Sequence, residues 1–202
     1  MNHIEKQNTV FTRENSSAQP GRTALSLSLM ALFAALVAAG TFVSVPLPFT
    51  PVPVVLQNLF SLLAGLVLGP VLGGGAVGLY LLAGIIGVPV FAGATGGIAR
   101  LLGPTGGFLI GYLLSALSAG LICGRPRQGT KLPLWRLILA VLTGLLVIYV
   151  PGLIRLRFAL GSWAKALTGG LIPFVAGDAL KGVLAVLIAP RLRRLVADKF
   201  SR

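Results

Sequence analysis

Two ionisable residues lie inside a long apolar stretch near the C-terminal end of the chain. Asp178 and Lys181 belong to the segment FVAGDALKG, and the run from about residue 171 to 189 is otherwise apolar. Side chains three residues apart lie on the same face of a helix. An ionisable group near mid-membrane costs roughly 2.5–3.5 kcal/mol on insertion scales, so it indicates a functional site. The alternative is a structural ion pair that locks two helices together.

The composition is that of an integral membrane protein. Of the 202 residues, 55% are hydrophobic and 10% are charged, whereas soluble domains average about 25% charged residues. Repeated apolar stretches of about 17 or more residues predict membrane-spanning helices rather than the alternating strands of a barrel.

The positive charge and the scarcity of cysteine and histidine exclude several functions. The net charge is +13, but Lys and Arg collect in the termini and in loops between apolar runs, where topology and anionic headgroups account for them. We therefore expect these basic residues to contact the lipid bilayer, and we expect no binding of nucleic acid. Cys123 and His3 are single examples of their types. Zinc and triad sites need several converging ligands, so we expect no metal, no cofactor and no catalytic residue.

The apolar runs predict an all-α membrane protein with six transmembrane helices. Between a polar N-terminal tail (1–23) and a basic C-terminal tail (190–202), one membrane domain covers residues 24–189. The predicted spans are 24–45, 54–68, 71–86, 108–122, 137–154 and 170–189. Twelve Lys and Arg residues lie on the side of the termini and four on the other side. The positive-inside rule then places both termini in the cytoplasm of a multi-pass protein in the bacterial inner (cytoplasmic) membrane.

The three loops on the outer side have unusual compositions. Residues 46–53 contain four prolines, which impose a stiff, extended connection. Residues 87–107 are rich in glycine but lack the Gly-Lys-Ser/Thr ending of a nucleotide-binding P-loop, and residues 158–167 have an interfacial composition. At 1.5 Å per residue, Asp178 lies about 12 Å below the outer surface. We expect an outward-opening ligand pocket with Asp178 and Lys181 toward its floor and the loops as a lid.

Four separated segments resemble the BioY family. They are FTPVPVVLQNL (49–59), YLLAGIIGVPVFAG (80–93), GPTGGFLIGY (103–112) and GDALKG (177–182), and the resemblance covers most of residues 30–190. Members of this family are the substrate-capture (S) components of biotin transporters of the energy-coupling-factor (ECF) type. The resemblance implies a six-helix protein that binds biotin outside and works with a transmembrane coupling (T) protein and a pair of cytoplasmic ATPases.

The resemblance also implies a set of site residues. The Asp and Lys of the family's last helix fall on Asp178 and Lys181, and biotin's ureido ring offers two N–H donors and one carbonyl acceptor to such a pair. Gln57 and Tyr80 match family motifs and could line the pocket. Alternatively, Gln57 could cap the backbone at a helix end, and Tyr80 could form a hydrogen bond between two helices. Arg100 is the candidate partner for the biotin carboxylate, or a clamp for the lid.

Small residues in the first span form two rows at four-residue spacing. Ala31, Ala35 and Ala39 form one, and Ala34 and Ala38 form the other. Such rows let another helix approach closely in lipid. They resemble the motif by which S components dock their coupling protein, while packing within this protein is the alternative.

Two other transport functions stay open at this point. An S component for another vitamin would bind a flat ring through stacking residues, but the aromatic content is 7%. A stand-alone secondary transporter would use Asp178 as a proton relay, and uptake by the isolated chain would then collapse with the proton gradient. A membrane enzyme is disfavoured because histidine, cysteine and a second buried acid are missing from the apolar core.

Overall fold

The computed structural model describes residues 20–201. In that range the long elements are all helices, and one short two-stranded sheet accompanies them, in agreement with the predicted all-α class. The elements are α1 (Pro20–Phe42), β1 (Ser44–Val45), β2 (Val54–Val55), α2 (Gln57–Ile85), α3 (Ile98–Leu102), α4 (Gly106–Cys123), α5 (Leu134–Leu160), α6 (Trp163–Gly170) and α7 (Ile172–Ser201). Residues 1–19, which make up most of the predicted N-terminal tail, lie outside the described residues.

Five helical regions of the described chain are long and apolar enough to cross a membrane. They are α1, α2, α4, α5 and the region that joins α6 to α7. Most residues of α2 and α4 are buried, whereas about a third or less of α1, α5 and the α6–α7 region is buried. Helices α2 and α4 therefore form the interior, and α4 packs against both α2 and α5. The exposed apolar faces of α1, α5 and α7 are suited to lipid.

Helix α2 reverses direction at Gly69, whose φ of 81° is in the left-handed region that glycine adopts without steric cost. A Cβ atom on Gly73 would lie 2.5 Å from the carbonyl oxygen of Ala64, so the two arms, residues 57–68 and 70–85, lie side by side. Pro70 begins the second arm, where the missing N–H of proline is tolerated. The reversal falls at the predicted boundary between the second and third spans. Counted by length, however, the described chain holds five spans, and six result only when the two arms are counted separately.

The proline-rich segment is the tip of a β-hairpin. Strand β1 pairs antiparallel with β2, and the tip is held by the side chain of Thr50. Its hydroxyl donates to the Gly169 carbonyl at 2.6 Å and accepts from the Val52 N–H at 3.2 Å. The predicted stiff loop is therefore anchored to α6.

The glycine-rich segment is also folded against the helices. Phe91 and Thr95 form a backbone bridge, and the hydroxyl of Thr41 on α1 donates to the Val90 carbonyl at 3.0 Å. The Phe91 ring is buried and meets the Tyr80 ring edge to face, with 5.6 Å between the ring centroids. This segment therefore packs over the C-terminal ends of α1 and α2.

The last two long helices extend beyond their predicted limits. Helix α5 ends at the left-handed Gly161, so the predicted interfacial segment 158–167 is divided between α5 and α6. Helix α7 continues to Ser201, and residues 190–201 are helical instead of forming a separate tail. Arg193 holds this part of α7 against the other helices, because its guanidinium donates to carbonyls near their ends, those of Leu66, Cys123 and Gly124.

The two alanine rows of α1 have different surroundings. Ala34 is buried and Ala38 half-buried against the protein, whereas Ala31, Ala35 and Ala39 are exposed. The row of Ala34 and Ala38 therefore packs inside the protein, and the row of Ala31, Ala35 and Ala39 lies on the solvent- or lipid-accessible face of α1.

Candidate ligand-binding site

Asp178 and Lys181 form an ion pair that is buried in the protein. Asp178 and Lys181 lie one turn apart on α7, with Lys181 Nζ 2.9 Å from Asp178 Oδ1. Their exposed fractions are 7% and 6%. The two side chains lie on the same face of α7, as their i, i+3 spacing in the sequence predicted.

The ammonium group of Lys181 has an acceptor for each of its three hydrogens. Besides Asp178, it donates to the Val55 carbonyl at 2.8 Å and to Asn58 Oδ1 at 3.0 Å. The hairpin strand β2 and the first turn of α2 supply these two acceptors. A buried ammonium is stable only when its hydrogen bonds are satisfied in this way.

The carboxylate of Asp178 is also shared among several donors. Asn58 Nδ2 donates to Oδ1 at 2.8 Å, and the Tyr149 hydroxyl on α5 donates to Oδ2. We call Asp178, Lys181, Asn58 and Tyr149 the polar cluster. It joins α7, α2 and α5 in one hydrogen-bonded network.

A cavity of about 520 Å³ lies beside the polar cluster. This volume is within the usual range for small-molecule sites. Its walls come from the hairpin tip, the Gly-rich segment and the start of α4, and they are largely apolar. The lining residues used below are Val52, Gln57, Arg100, Phe108, Leu109 and Tyr112.

A wall of five residues separates this large cavity from the polar cluster. Asp178 and Lys181 line a second space of about 30 Å³, which has room for a water molecule but not for a larger ligand. The residues that line both spaces form the wall, and they are Val52, Pro53, Val55, Phe108 and Tyr112. Asp178 and Lys181 were predicted on the floor of one open pocket, whereas here they lie behind this wall.

Gln57 and Tyr80 form a pair of their own. Gln57 lines the large cavity, and its Nε2 donates to the Tyr80 hydroxyl. Tyr80 is 2% exposed and is absent from the lining of either space. The structure therefore places Gln57 at the cavity and Tyr80 behind it, as a support between the two arms of α2.

Arg100 lies at the exposed rim of the large cavity. Its Nε donates to Thr95 Oγ1 at 2.7 Å and its Nη2 to the Ala92 carbonyl at 3.3 Å. These bonds hold the turn that contains Ala94, a non-glycine residue with a φ of 52°. Arg100 thus clamps the loop and also has its guanidinium at the cavity, so both predicted roles remain available to it.

Two members of the polar cluster were not among the predicted site residues. Asn58 has a sequence signal, because it is an amide at the start of a buried helix. Tyr149 has a weaker one, since a lone tyrosine in an apolar span is also common at membrane interfaces. Only the tertiary packing shows that both contact Asp178.

The fold and the site together define a multi-pass helical membrane protein with a loop-covered ligand cavity next to a buried polar cluster. Residues 12–198 match the sequence model of the BioY family. This match spans most of the chain, which therefore belongs to the BioY family.

Individual relatives agree with this membership. The chain is 44% identical over 170 residues to the probable biotin transporter BioY of Pyrococcus horikoshii, covering 84% of this chain and 97% of the relative. It is 40% identical over 168 residues to the biotin transporter BioY of Thermotoga maritima, covering 83% and 95%. A crystal structure of the S-component for biotin from an ECF-type ABC transporter has the same fold, with a TM-score of 0.76 and 30% identity over 88% of this chain and 95% of that one.

Proposed function

We propose that this chain is the biotin-capture subunit of an uptake system in the cytoplasmic membrane of a bacterium. Family membership supports this function, and one structural observation supports the mechanism: an apolar cavity of about 520 Å³ adjoins a buried cluster that both donates and accepts hydrogen bonds. In this proposal each arm of α2 crosses the membrane. The six crossings leave both termini in the cytoplasm and the large cavity open to the outside.

The chemistry of biotin matches the two parts of the site. The Asp178 carboxylate accepts from a ureido N–H, and Lys181 or Tyr149 donates to the ureido carbonyl. The apolar walls at Phe108 and Leu109 receive the sulfur-containing ring, and Arg100 faces the carboxylate at the rim. Biotin is here the transported ligand, and no resident cofactor is required.

Contact between biotin and the polar cluster requires the wall to move. Asp178 is 7% exposed and the space beside it is about 30 Å³, so a ring reaches the carboxylate only when the Val52–Val55 segment shifts away from α4. The Val55 carbonyl would then leave Lys181, and a ureido oxygen would take its place. In this mechanism the hairpin is a lid whose opening exchanges protein hydrogen bonds for ligand hydrogen bonds.

Ligand identification is the direct test of this function. Small molecules that co-purify with the detergent-solubilised protein are identified by mass spectrometry, and the emptied protein is then titrated with biotin and with riboflavin, a flat aromatic vitamin. We expect biotin in the purified sample and binding of biotin alone. Recovery of another vitamin, together with no biotin binding, would contradict the proposal.

Transport should require partners. We expect biotin uptake by cells only when a T protein and an ATPase pair are produced together with this chain. Uptake by the chain alone that collapses with the proton gradient would instead support a secondary transporter.

The exposed alanine row of α1 is the proposed docking surface for the T protein. Ala35 lies at the centre of this row and is exposed, and a bulky side chain there would prevent close helix contact. We expect Ala35→Trp to abolish most biotin uptake and to leave biotin binding unchanged. Leu146→Trp is the control, because Leu146 is 66% exposed on α5. Normal complex assembly and uptake in Ala35→Trp would remove this row from the interface.

A further inference from the structure

A second cavity, of about 270 Å³, is lined by basic side chains. Among the described residues that line it there is no Asp or Glu. The basic lining residues are Arg125, Arg127, Lys131, Arg136, Arg193 and Arg194, and we call this space the basic cavity.

The basic cavity and the large cavity lie at opposite ends of the helices. Thr105 and Phe108, at the start of α4, line the large cavity, and Cys123, the last residue of α4, lines the basic one. The 18 residues of α4 span about 27 Å at 1.5 Å per residue. The basic cavity is therefore separate from the candidate biotin site.

Two of the six cations have structural roles. Arg193 donates to the Cys123 and Gly124 carbonyls at 3.1 Å, and Arg136 donates to the Ile122 carbonyl. The other four come from the α4–α5 loop and α7, and all four residues are exposed at the mouth of the cavity. The positive-inside rule accounts for basic residues at one end of the bundle. It does not account for their convergence on one cavity, where like charges repel each other and a bound anion would offset the repulsion.

The rim of the basic cavity continues into an apolar surface. Leu134 and Trp135, directly after the lining residue Pro133, are 61% and 66% exposed. Ile138 and Leu142 follow Leu134 at four-residue spacing and are also exposed, so these three side chains form one stripe along α5. An exposed tryptophan beside a cluster of cations is typical of the level of the lipid headgroups.

We propose that the basic cavity binds the phosphate headgroup of an anionic phospholipid, whose acyl chains lie along the exposed stripe of α5. The four exposed cations supply the charge for the phosphate, and the cavity volume admits a phosphate with a small esterified alcohol. A free phosphate ester shares the anion chemistry, but it makes no use of the adjacent apolar stripe. This site is independent of what the large cavity binds.

The test measures lipid retention by the full-length protein. The purified chain is equilibrated with mixed micelles of phosphatidylglycerol and phosphatidylcholine, and bound lipid is counted by native mass spectrometry. The test variant is Arg125→Gln/Arg127→Gln/Lys131→Gln/Arg194→Gln, which leaves Arg136 and Arg193 in place. The control variant is Arg22→Gln/Lys165→Gln/Arg191→Gln/Lys199→Gln, which removes four exposed charges outside the cavity lining.

We expect the wild type and the control variant to prefer phosphatidylglycerol by about tenfold or more, and the test variant to lose this preference. Equal losses of the phosphatidylglycerol preference in the two variants, or no such preference in the wild type, would contradict the proposal that the basic cavity binds the headgroup. The unfolding temperature in phosphatidylcholine confirms that the test variant is folded. If it is not, Arg127→Gln and Lys131→Gln are measured singly, and each should lose part of the preference.

Two further arms distinguish the lipid from other anions. Glycerol 1-phosphate in millimolar excess should not displace the bound lipid, because it lacks the acyl chains. Displacement by glycerol 1-phosphate at the affinity of the lipid would assign the cavity to a soluble phosphate ester. Unchanged lipid preference in the test variant, with loss of its assembly with the T protein and ATPases, would assign the cations to a protein partner.

Discussion

The polar cluster and the large cavity share a wall but are built in different ways. The cluster lies on α7, α2 and α5, and both of its charged groups are hydrogen-bonded to neighbouring elements. The large cavity is lined mainly by the hairpin tip and the Gly-rich segment, with few polar groups. Precise positions for recognition are best supplied by rigid helices, while loops can move to admit a ligand. The two regions therefore divide recognition and access between them.

The wall between the two regions means that the hairpin must move before a ligand reaches Asp178 and Lys181. A buried ion pair is weak support for stability, because desolvation offsets much of its Coulomb attraction. The closed cluster nevertheless holds Asp178 and Lys181 in fixed positions before a ligand arrives. Binding then needs only the hairpin to move, and the recognition groups themselves are already in place.

The largest effect should come from breaking the cluster at its cation. Lys181→Met leaves the Asp178 carboxylate buried beside Asn58 and Tyr149 without its counter-charge. We expect the free energy of unfolding, measured by denaturant titration in detergent, to fall by about 3–5 kcal/mol. Biotin binding should be lost.

A double variant separates stability from recognition at the same position. Asp178→Asn/Lys181→Met removes both charges and keeps an amide that can bond to Asn58 and Tyr149. It should regain most of the lost stability without regaining biotin binding. A double variant as unstable as Lys181→Met would show that the unpaired charge of Asp178 does not cause the loss of stability.

A smaller effect is expected from removing one donor. Tyr149→Phe removes the hydroxyl that donates to Asp178 Oδ2, and a hydrogen bond to a charged group contributes about 1.5–3 kcal/mol. Biotin affinity, measured by calorimetry, should fall about tenfold. Tyr80→Phe is the matched control, since the Tyr80 hydroxyl bonds to Gln57 outside the cluster. Equal affinity losses in the two variants would show that the hydrogen bond from Tyr149 to Asp178 has no specific effect on biotin binding.

The smallest effect is expected at the rim of the large cavity. Arg100 is exposed, so its pairing with a carboxylate is worth about 1 kcal/mol and Arg100→Gln should weaken biotin binding about fivefold. Binding of biotin amide, which lacks the negative charge, should not change. Similar losses for both ligands would show that Arg100 acts only by holding the loop through Thr95 and Ala92.

Local spacing in the sequence was sufficient for some of these features. The i, i+3 spacing of Asp178 and Lys181 predicted that they share one face of a helix, because helix geometry alone fixes which positions are neighbours. The predicted boundary between the second and third spans coincides with the reversal in α2 at Gly69-Pro70, where glycine permits a positive φ and proline starts a helix. In both cases the physical cause lies within a few residues.

Features that depend on distant packing could not be predicted. Asn58 is 120 residues from Asp178, and Tyr149 is 29 residues away, so no local pattern joins them. The division of the site into two spaces depends on where the short hairpin lies against α4. The contacts of Arg193 with carbonyls near the ends of α2's first arm and α4 join residues that are 127 and 70 positions apart in the sequence. The alanine rows were visible in the sequence, but only the packing of α1 shows which row is exposed on the surface of the protein.

Calorimetric titration of biotin into wild type, Asp178→Asn and Lys165→Ala tests the central claim most directly. Asp178→Asn keeps the size of the side chain but removes its negative charge, whereas Lys165 is exposed on α6 and lines neither space. With both variants shown to be folded at the temperature of the titration, we predict about 100-fold weaker biotin binding in Asp178→Asn and wild-type binding in Lys165→Ala. An Asp178→Asn protein that binds biotin within about twofold of the wild type would show that the cluster only locks the helices together.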